Sequence, residues 1–369
     1  IIASFVIVTV ATIVPSLFNN FELENKQNEF LEELENNKGT YDEKSIVLQN
    51  TSKTRAKELS ERFNAKLRSI NNGKFATLTL PNDITILDVV KDDGNKVILN
   101  EFTIDYKAKI ADFEIEDNSS EFTTESPNYE VYDELYERQT YLDYINIGDA
   151  WKNNSMGNNR TIAVIDTGID TDHIEFQGRI SEYSYNATED KIVKDYVLED
   201  GSYDWSLVED EQGHGTAVTG VIGASMDSVG ITGILPKVNI LTIKAECDSE
   251  GVFKRTSDLV YGYYYAIERD VDIVNMSFAY EYKIKTKSPF NLPSQLAVDS
   301  DIITVAAAGN YSNGSTYMPA AELNIIGVGA LKENSFEIAD YSNYGESVDV
   351  VAPGTVYTKK NDGTYQKVS

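Results

Sequence analysis

The chain has 369 residues, 41% of them hydrophobic and 25% charged, which is typical of a globular protein with a sizeable core. Its 60 Asp and Glu residues against 32 Lys and Arg residues give a formal net charge of −28. This charge argues against nucleic acid as a partner and favours cationic peptides, although the acidity could equally serve solubility alone. The single cysteine, Cys247, excludes an intrachain disulfide.

The first 18 residues, IIASFVIVTVATIVPSLF (1–18), are apolar and carry no charge. The stretch is short for a membrane span and has the character of the apolar region of an export signal. We therefore expect an extracellular or cell-surface protein that is exported by a signal peptide. An uncleaved signal anchor and a buried strand are the alternatives. Residues 19–44 are acidic and polar, which predicts a linker or a frayed helix.

Residues 45–111 are predicted to form a small α+β domain. Thr51 is expected to cap a helix that runs to about Ile70, and a second helix is expected to begin at Asn82 or Asp83. Strands are predicted for SIVLQN, KFATLTLP and KVILNEF, which are residues 45–50, 74–81 and 96–102.

An acidic linker over residues 112–138 separates this domain from a second one, residues 139–369, in which the apolar runs are continuous rather than alternating. Continuous runs indicate strands that are covered on both faces, and hence a parallel sheet with crossover helices. SDLVYGYYYAIERD (257–270) is one such predicted helix. The predicted strands are residues 161–166, 238–244, 271–278, 302–310 and 324–330.

Three polar residues lie where such a sheet forms its sites, at the carboxyl ends of strands or the start of a helix. Asp166 ends a strand, and a carboxylate there can orient an imidazole. His214 lies between glycines at a predicted helix start, where it suits a general base, and the amide of Asn310 can donate to an oxyanion. Each feature alone is also common in structural turns. His173, the other histidine, is expected to be a turn or surface residue.

Asp166, His214 and Asn310, in this order and in these motifs, resemble the subtilisin-like serine proteases, the subtilase family, over about residues 140–369. The resemblance implies an α/β fold, with a subtilisin-like parallel sheet flanked by helices and preceded by a small α+β propeptide domain. It also implies a secreted serine endopeptidase with an Asp-His-Ser triad. Asp166 and His214 would belong to that triad, and Asn310 would stabilise the oxyanion.

In this family the nucleophile lies in a Gly-Thr-Ser-Met-Ala motif that follows an Ala-Pro-Gly turn. YSNYGESVDVVAPG (341–354) is similar to the stretch before that motif, but the motif does not follow within the 369 residues. Ser369 matches the residue just before the motif's first glycine and not the nucleophile. We therefore expect that the sequence is a fragment and that the 1–369 polypeptide is itself inactive. The alternative is a truncated pseudoprotease that acts as a peptide-binding module.

The substrate-binding strand of the family resembles VNMSF and the residues after it, so Ser277, Phe278 and Ala279 are expected to bind the peptide backbone. Side chains stand here in place of the family's glycines, which implies a narrow cleft. A narrow cleft and an acidic chain favour a peptidase of the type that removes leader peptides from lantibiotics, and a general exoprotease is the nearest alternative.

The resemblance further implies a Ca²⁺ site with Glu175 and Asp227 as ligands, although two loop carboxylates are also explained as solvated surface. Residues 45–111 would be the propeptide that assists folding and then inhibits its own active site, and residues 112–138 would be the processing linker. A peptide or protein substrate and a monomeric protein are expected.

Overall fold

The computed structural model describes residues 22–110, 133–281, 288–359 and 364–368. It divides the chain into two compact units, Ile1–Lys107 and Ala108–Ser369, so that the first unit ends just before the predicted boundary at residue 111. The apolar segment 1–18 and the linker up to residue 132 lie outside the described residues, as does Ser369. None of the helices in the described ranges is long and apolar enough to cross a bilayer.

The first unit contains a four-stranded antiparallel sheet with the strand order β2-β3-β1-β4. Its helix α2 turns Ala56, Leu59 and Phe63 inwards, one per turn, which is the helical spacing of apolar residues that the sequence shows. The elements are α1 (residues 22–36), β1 (Tyr41–Gln49), α2 (Lys53–Phe63), β2 (Lys66–Ile70), β3 (Phe75–Thr79), α3 (Ile86–Lys91), a 3-10 helix (Asp93–Glu101) and β4 (Phe102–Tyr106).

The helix predicted to run to Ile70 ends earlier, at Phe63. Asn64 adopts a left-handed conformation with φ 49°, which stops the helix, and the residues after it form β2 and pair with β3. The capping residue is Ser52 and not Thr51, because the side chain of Ser52 accepts the backbone N–H of Arg55 at 3.1 Å.

Two further predictions in this unit were wrong. The second helix begins after Thr85, whose hydroxyl and the carboxylate of Asp88 form a capping box, and not at Asn82 or Asp83. Residues 96–101 of the predicted strand 96–102 are instead the end of a 3-10 helix, which begins where the Asp92 carboxylate accepts the N–H of Gly94 at 2.8 Å, and Phe102 is the first residue of β4.

The second unit is built on an eight-stranded sheet with the order β16-β15-β13-β11-β6-β9-β7-β8, in which only β8 runs antiparallel to its neighbour. All five predicted buried strands and the predicted helix 257–270 are present, so the prediction of a parallel sheet is confirmed. The sheet contains β6 (Thr161–Asp166), β7 (Tyr185–Asn186), β8 (Lys191–Ile192), β9 (Asn239–Lys244), β11 (Ile273–Met276), β13 (Ile303–Ala307), β15 (Ile326–Leu331) and β16 (Val350–Pro353). The helices are α4 (Thr140–Tyr144), α5 (Ile147–Lys152), α6 (His214–Gly223), α7 (Thr256–Glu268) and α8 (Asn291–Asp299).

A smaller sheet of the second unit has the order β10-β5-β12-β14. Its strands are all antiparallel, and β5 lies between β10 and β12. Aromatic rings beneath it pack edge to face, with the Phe253 and Phe278 centroids 5.7 Å apart. The strands are β5 (Ala108–Ile110), β10 (Val252–Phe253), β12 (Phe278–Glu281) and β14 (Tyr317–Met318), and a separate hairpin contains β17 (Val356–Lys359) and β18 (Tyr365–Val368).

Candidate active site

The structure brings Asp166 and His214 together at the centre of the large sheet. Asp166 is the last residue of β6, which lies between β9 and β11, and His214 is the first residue of α6. Oδ1 of Asp166 lies 2.7 Å from Nδ1 of His214, and both residues are at most 2% exposed. Because the carboxylate accepts, the imidazole carries its hydrogen on Nδ1, which leaves Nε2 as the basic nitrogen.

Two residues that the sequence did not single out hold this pair in place. The N–H of Thr167 donates to the same Asp166 Oδ1 at 2.8 Å, and the Thr167 hydroxyl accepts the N–H of Gly215 at 2.9 Å. Asp210 accepts the Thr167 hydroxyl at 2.8 Å and also the backbone N–H groups of Gly213 and Thr216. The Asp210 carboxylate therefore ties the end of β6 to the start of α6. An Asp that precedes a Gly-His-Gly-Thr run by three residues was the signal that could have identified it.

The helix that carries His214 approaches the β6 loop so closely that only glycine fits at position 215. A Cβ there would lie 2.2 Å from the carbonyl oxygen of Gly168 and 3.2 Å from Cβ of Asp166. Since the nearest atom belongs to the backbone, no side-chain rotation relieves the contact. The close approach is what allows the short hydrogen bond between the two catalytic candidates.

A cavity of about 310 Å³ opens beside His214. Ser277 and Asn310 line it together with small apolar residues of β13, β15 and α6. Three predicted site residues, His214, Ser277 and Asn310, therefore face the same cavity. Phe278 and Ala279 do not line this cavity, although they belong to the neighbouring strand β12. Phe278 is fully buried and pairs with Ile110, and Ala279 pairs with Lys109.

The two predicted metal ligands lie near each other, away from the cavity. Glu175 is 1% exposed, and its Oε1 accepts the N–H of Ile231 at 3.2 Å and the hydroxyl of Tyr365 at 2.9 Å. Burial raises the pKa of Glu175 to about 7, and the charges of Asp227 and Asp133 also raise it, while the two hydrogen bonds act in the opposite direction.

Asp133 was missed by the sequence reading. Its Oδ1 accepts the N–H of Asp227 at 3.0 Å, and burial raises the pKa of its carboxyl group. Nothing local marks Asp133, since its partners come about ninety residues later in the chain. Within the four described ranges, no set of three His, Cys, Asp or Glu side chains is arranged to hold a metal by itself, so an ion here would also need carbonyl or water oxygens.

Of the two alternatives predicted for His173, a turn or a surface residue, the structure shows the turn, and the side chain is only 6% exposed. Its Nδ1 accepts the N–H of Glu175 at 3.2 Å and so caps the 3-10 turn Ile174–Phe176 that carries Glu175. His173 therefore has a structural role next to the candidate metal ligands.

Residues 157–369 match the model of the Peptidase_S8 or subtilase family. The chain is 32% identical over 219 residues to the thermophilic serine proteinase of Bacillus sp. strain AK1, which covers 59% of this chain and 48% of that protein. It is 33% identical over 241 residues to the minor extracellular protease Epr of Bacillus subtilis. The aligned region covers 65% of this chain and 32% of that protein. The chain thus spans about half or less of the length of these curated relatives.

Among solved structures, fervidolysin from Fervidobacterium pennivorans, a keratinolytic enzyme related to subtilisin, superposes with a TM-score of 0.73 at 20% identity. The superposition covers 90% of this chain and 53% of fervidolysin. At this level of identity the likeness concerns the fold, and it confirms the predicted subtilisin-like α/β architecture.

Proposed function

This chain belongs to the subtilase family, and from that premise we propose that the full-length protein is a serine endopeptidase with an Asp-His-Ser triad. The observation that carries the proposal is the 2.7 Å contact between Nδ1 of His214 and Oδ1 of Asp166, at a cavity that Asn310 also lines. The 369 residues contain no Gly-Thr-Ser motif, so the serine of the triad is to be assigned in the full-length protein.

In this mechanism His214 takes the proton of the serine hydroxyl as the oxygen attacks the peptide carbonyl, and then gives the proton to the leaving amine. Asp166 remains ionised, holds the imidazole with its hydrogen on Nδ1, and stabilises the imidazolium that forms. The side-chain amide of Asn310 donates to the oxyanion of the tetrahedral intermediate. Loss of the corresponding donor in subtilisin costs roughly 10²–10³ in kcat.

Asp166→Asn in the full-length protein tests this proposal. An amide at this position favours the wrong imidazole tautomer, and we expect kcat to fall by about 10⁴ while the fold is retained. Peptide hydrolysis and covalent labelling by a fluorophosphonate report the activated serine. The matched control is Asp299→Asn, which removes the same charge from an exposed position of α8. Equal losses in both variants, or no labelling of the unmodified protein, would contradict the proposal and favour a pseudoprotease.

We also propose that the first unit and β5 act as an inhibitory propeptide. The chain leads from Lys107 directly into β5, which lies between β10 and β12 in the place where an extended substrate would pair. Phe278 and Ala279, the predicted substrate-binding residues of β12, are paired with Ile110 and Lys109 of the same chain. A peptide that occupies this place excludes substrate until it is cleaved and released.

For the substrate we propose a cationic peptide, such as a leader peptide, cleaved outside the cell. The support is the net charge of −28, the apolar segment 1–18, and the side chains of Ala279 and Tyr280, which stand where the family's strand has glycines. Each of these features is also compatible with a general exoprotease, and the salt dependence described below distinguishes the two.

We further propose that Glu175 and Asp227, together with backbone carbonyl oxygens, hold a Ca²⁺ ion. Carboxylates are the hard oxygen ligands that calcium prefers, and the two positive charges of the ion would offset most of the negative charge of Glu175, Asp227 and the neighbouring Asp133, of which Glu175 is fully buried. Such an ion would stabilise the loop and take no part in the reaction. At a calcium concentration of 100 times Kd the stabilisation is about 2.7 kcal/mol, so a chelator should lower Tm by several degrees.

The Asp227→Ala variant should lose this response to the chelator, and Asp299→Asn should keep it. A chelator response in Asp227→Ala that equals that of the unmodified protein would exclude the site.

A further inference from the structure

Lys244 is a buried cation that the proposed mechanism does not use. It is the last residue of β9 and is only 7% exposed, although lysine is rarely buried unless it is ion-paired. Within the described ranges its ammonium group forms no ion pair, and Nζ donates instead to the backbone carbonyl oxygen of Glu209 at 2.7 Å. Burial of a charge against a neutral acceptor costs free energy, so the fold keeps this cation in place against its desolvation.

The large sheet places Lys244 beside the catalytic carboxylate. Asp166 and Lys244 are register partners in the parallel pair of β6 and β9. Residues in register on neighbouring strands direct their side chains to the same face of a sheet, and the strands lie about 5 Å apart. The side chains of Lys244 and Asp166 therefore leave the sheet on the same face, where Asp166 contacts His214.

The carbonyl group that Lys244 binds belongs to the backbone segment that leads into Asp210. Glu209 forms a parallel bridge with Ile169, in which the N–H of Ile169 donates to the carbonyl oxygen of Val208 at 3.0 Å. Successive carbonyl groups of an extended segment point to opposite sides, so the carbonyl group of Glu209 points away from Ile169 and towards Lys244. The segment is thus held by the loop after β6 on one side and by Lys244 on the other.

The carboxylate of Asp210 transmits the position of this segment to the catalytic pair. It accepts hydrogen bonds from two hydroxyl groups and from three backbone N–H groups at the start of α6 and just before it. One of the hydroxyl groups belongs to Thr167, whose backbone N–H donates to Asp166. A shift of Glu209 would therefore reach both Asp166 and the helix that carries His214.

The surroundings of Lys244 are acidic. The pKa of the nearby Cys247 thiol is raised to about 11 by burial and by the charges of Asp166, Asp210 and Asp248, while Lys244 acts in the opposite direction. All of these charges thus act on one small region. Lys244 supplies a positive charge there among buried carboxylates.

We propose that Lys244 is a positioning residue of the peptidase, which acts by holding the carbonyl group of Glu209 and thereby the Asp166–His214 pair. The inference rests on the proposed function, in which this pair activates a serine. The ammonium group has a second effect on the reaction, because a nearby cation disfavours the protonated imidazole. Lys244 therefore helps to keep His214 in the neutral form that acts as a base.

Lys244→Met in the full-length protein removes the ammonium group and keeps an unbranched side chain. We expect kcat to fall by about tenfold, with KM changed less, because the catalytic pair loses its exact position. The imidazole then binds a proton more easily, so the acid limb of the kcat/KM profile should move to higher pH by about half a unit. Lys244→Arg keeps both the charge and a donor, and it should leave the acid limb in place.

The titration of His214, followed by NMR, gives a second readout that needs no active serine. Its midpoint should rise by about half a pH unit in Lys244→Met, and also in Lys244→Gln, which keeps a hydrogen-bond donor without the charge. Lys237→Met is the matched control, since it removes the same charge from an exposed position just before the other end of β9. Its kcat, acid limb and midpoint should equal those of the unmodified protein.

The outcomes separate this inference from the proposal on which it rests. An unchanged acid limb and an unchanged His214 midpoint in Lys244→Met and Lys244→Gln would overturn the inference, and so would an equal shift in Lys237→Met. A shifted midpoint with normal kcat would overturn the positioning role. If Lys244→Met does not fold, Lys244→Gln decides by the same comparison. Absence of peptide hydrolysis by the unmodified protein would refute the proposed function, and the His214 midpoints would still decide whether Lys244 acts on the imidazole.

Discussion

Replacing Gly215 by alanine tests whether the close contact between α6 and the β6 loop sets the geometry of the catalytic pair. The added Cβ would lie 2.2 Å from the Gly168 carbonyl oxygen, about 1 Å inside an ordinary contact distance. Alanine gains up to about 1 kcal/mol of helix propensity, but overpacking of this kind typically costs about 1–3 kcal/mol. Because the Gly168 oxygen belongs to the backbone and cannot rotate away, we expect the free energy of unfolding to fall by about 2 kcal/mol. This lowers Tm by about 4–8 °C.

The effect on catalysis should exceed the effect on stability. If α6 moves by about 1 Å, the contact between His214 and Asp166 lengthens from 2.7 Å, and a displacement of this size costs about 10²-fold in rate. We would measure Tm and kcat/KM of the full-length protein side by side. Both quantities should fall, with KM changed less than kcat.

Gly223→Ala is the matched control, because it introduces the same group at the other end of the same helix. Its Cβ would meet only side-chain atoms, Cγ1 of Val238 at 3.1 Å and Nη1 of Arg179 at 3.7 Å, and these can move. We expect its stability to lie within about 1 kcal/mol of the unmodified protein, and its activity to be unchanged. A Gly215→Ala protein with normal Tm and normal kcat/KM would refute the reasoning.

Three further predictions follow from the site and its surroundings. Sequencing of the mature amino terminus should show cleavage within two residues after Ile110; a start at residue 114 or later would contradict the register of β5. The pKa of Asp170 is raised to about 7 by burial, by a hydrogen bond to Asp172 and by the charge of Glu209. The protonated carboxyl group therefore stabilises the folded state fully below about pH 4, and this stabilisation is lost as the pH rises through 7. Asp170→Asn should therefore have a higher Tm than the unmodified protein at pH 8 and a similar Tm at pH 4, and an equal difference at both pH values would count against this assignment. Cleavage of basic peptides should weaken with added salt, and indifference to basic residues would remove the support for a leader peptidase.

The large sheet could be predicted from the sequence because a strand that is buried on both faces consists of consecutive apolar residues. A strand such as β6, five of whose six residues are buried, reads as a continuous apolar run. The positions of Asp166 and His214 follow from the same pattern, since strand ends of a parallel sheet meet at one edge. Their 2.7 Å separation could not be predicted, because it depends on the contact between Gly215 and Gly168.

The first unit was harder to predict because single residues decide where its elements end. Asn64 stops α2 in a left-handed conformation, although the apolar spacing alone would allow the helix to continue. The place of β5 had no signal at all, since Ala108–Ile110 is too short for a period and its partners are more than 140 residues away. Pairing at such distances is set by the assembled fold and not by local preference.

Under the proposed function, the position of β5 between two strands limits which proteins could be cleaved. A segment bound there has neighbours on both edges, and so it must be fully extended and detached from its own secondary structure. A folded target would first have to open locally, and the free energy of that opening reduces its apparent affinity in proportion to the fraction of time it is open. Under the proposed function, the slot between β10 and β12 would thus select targets by the flexibility of their chain.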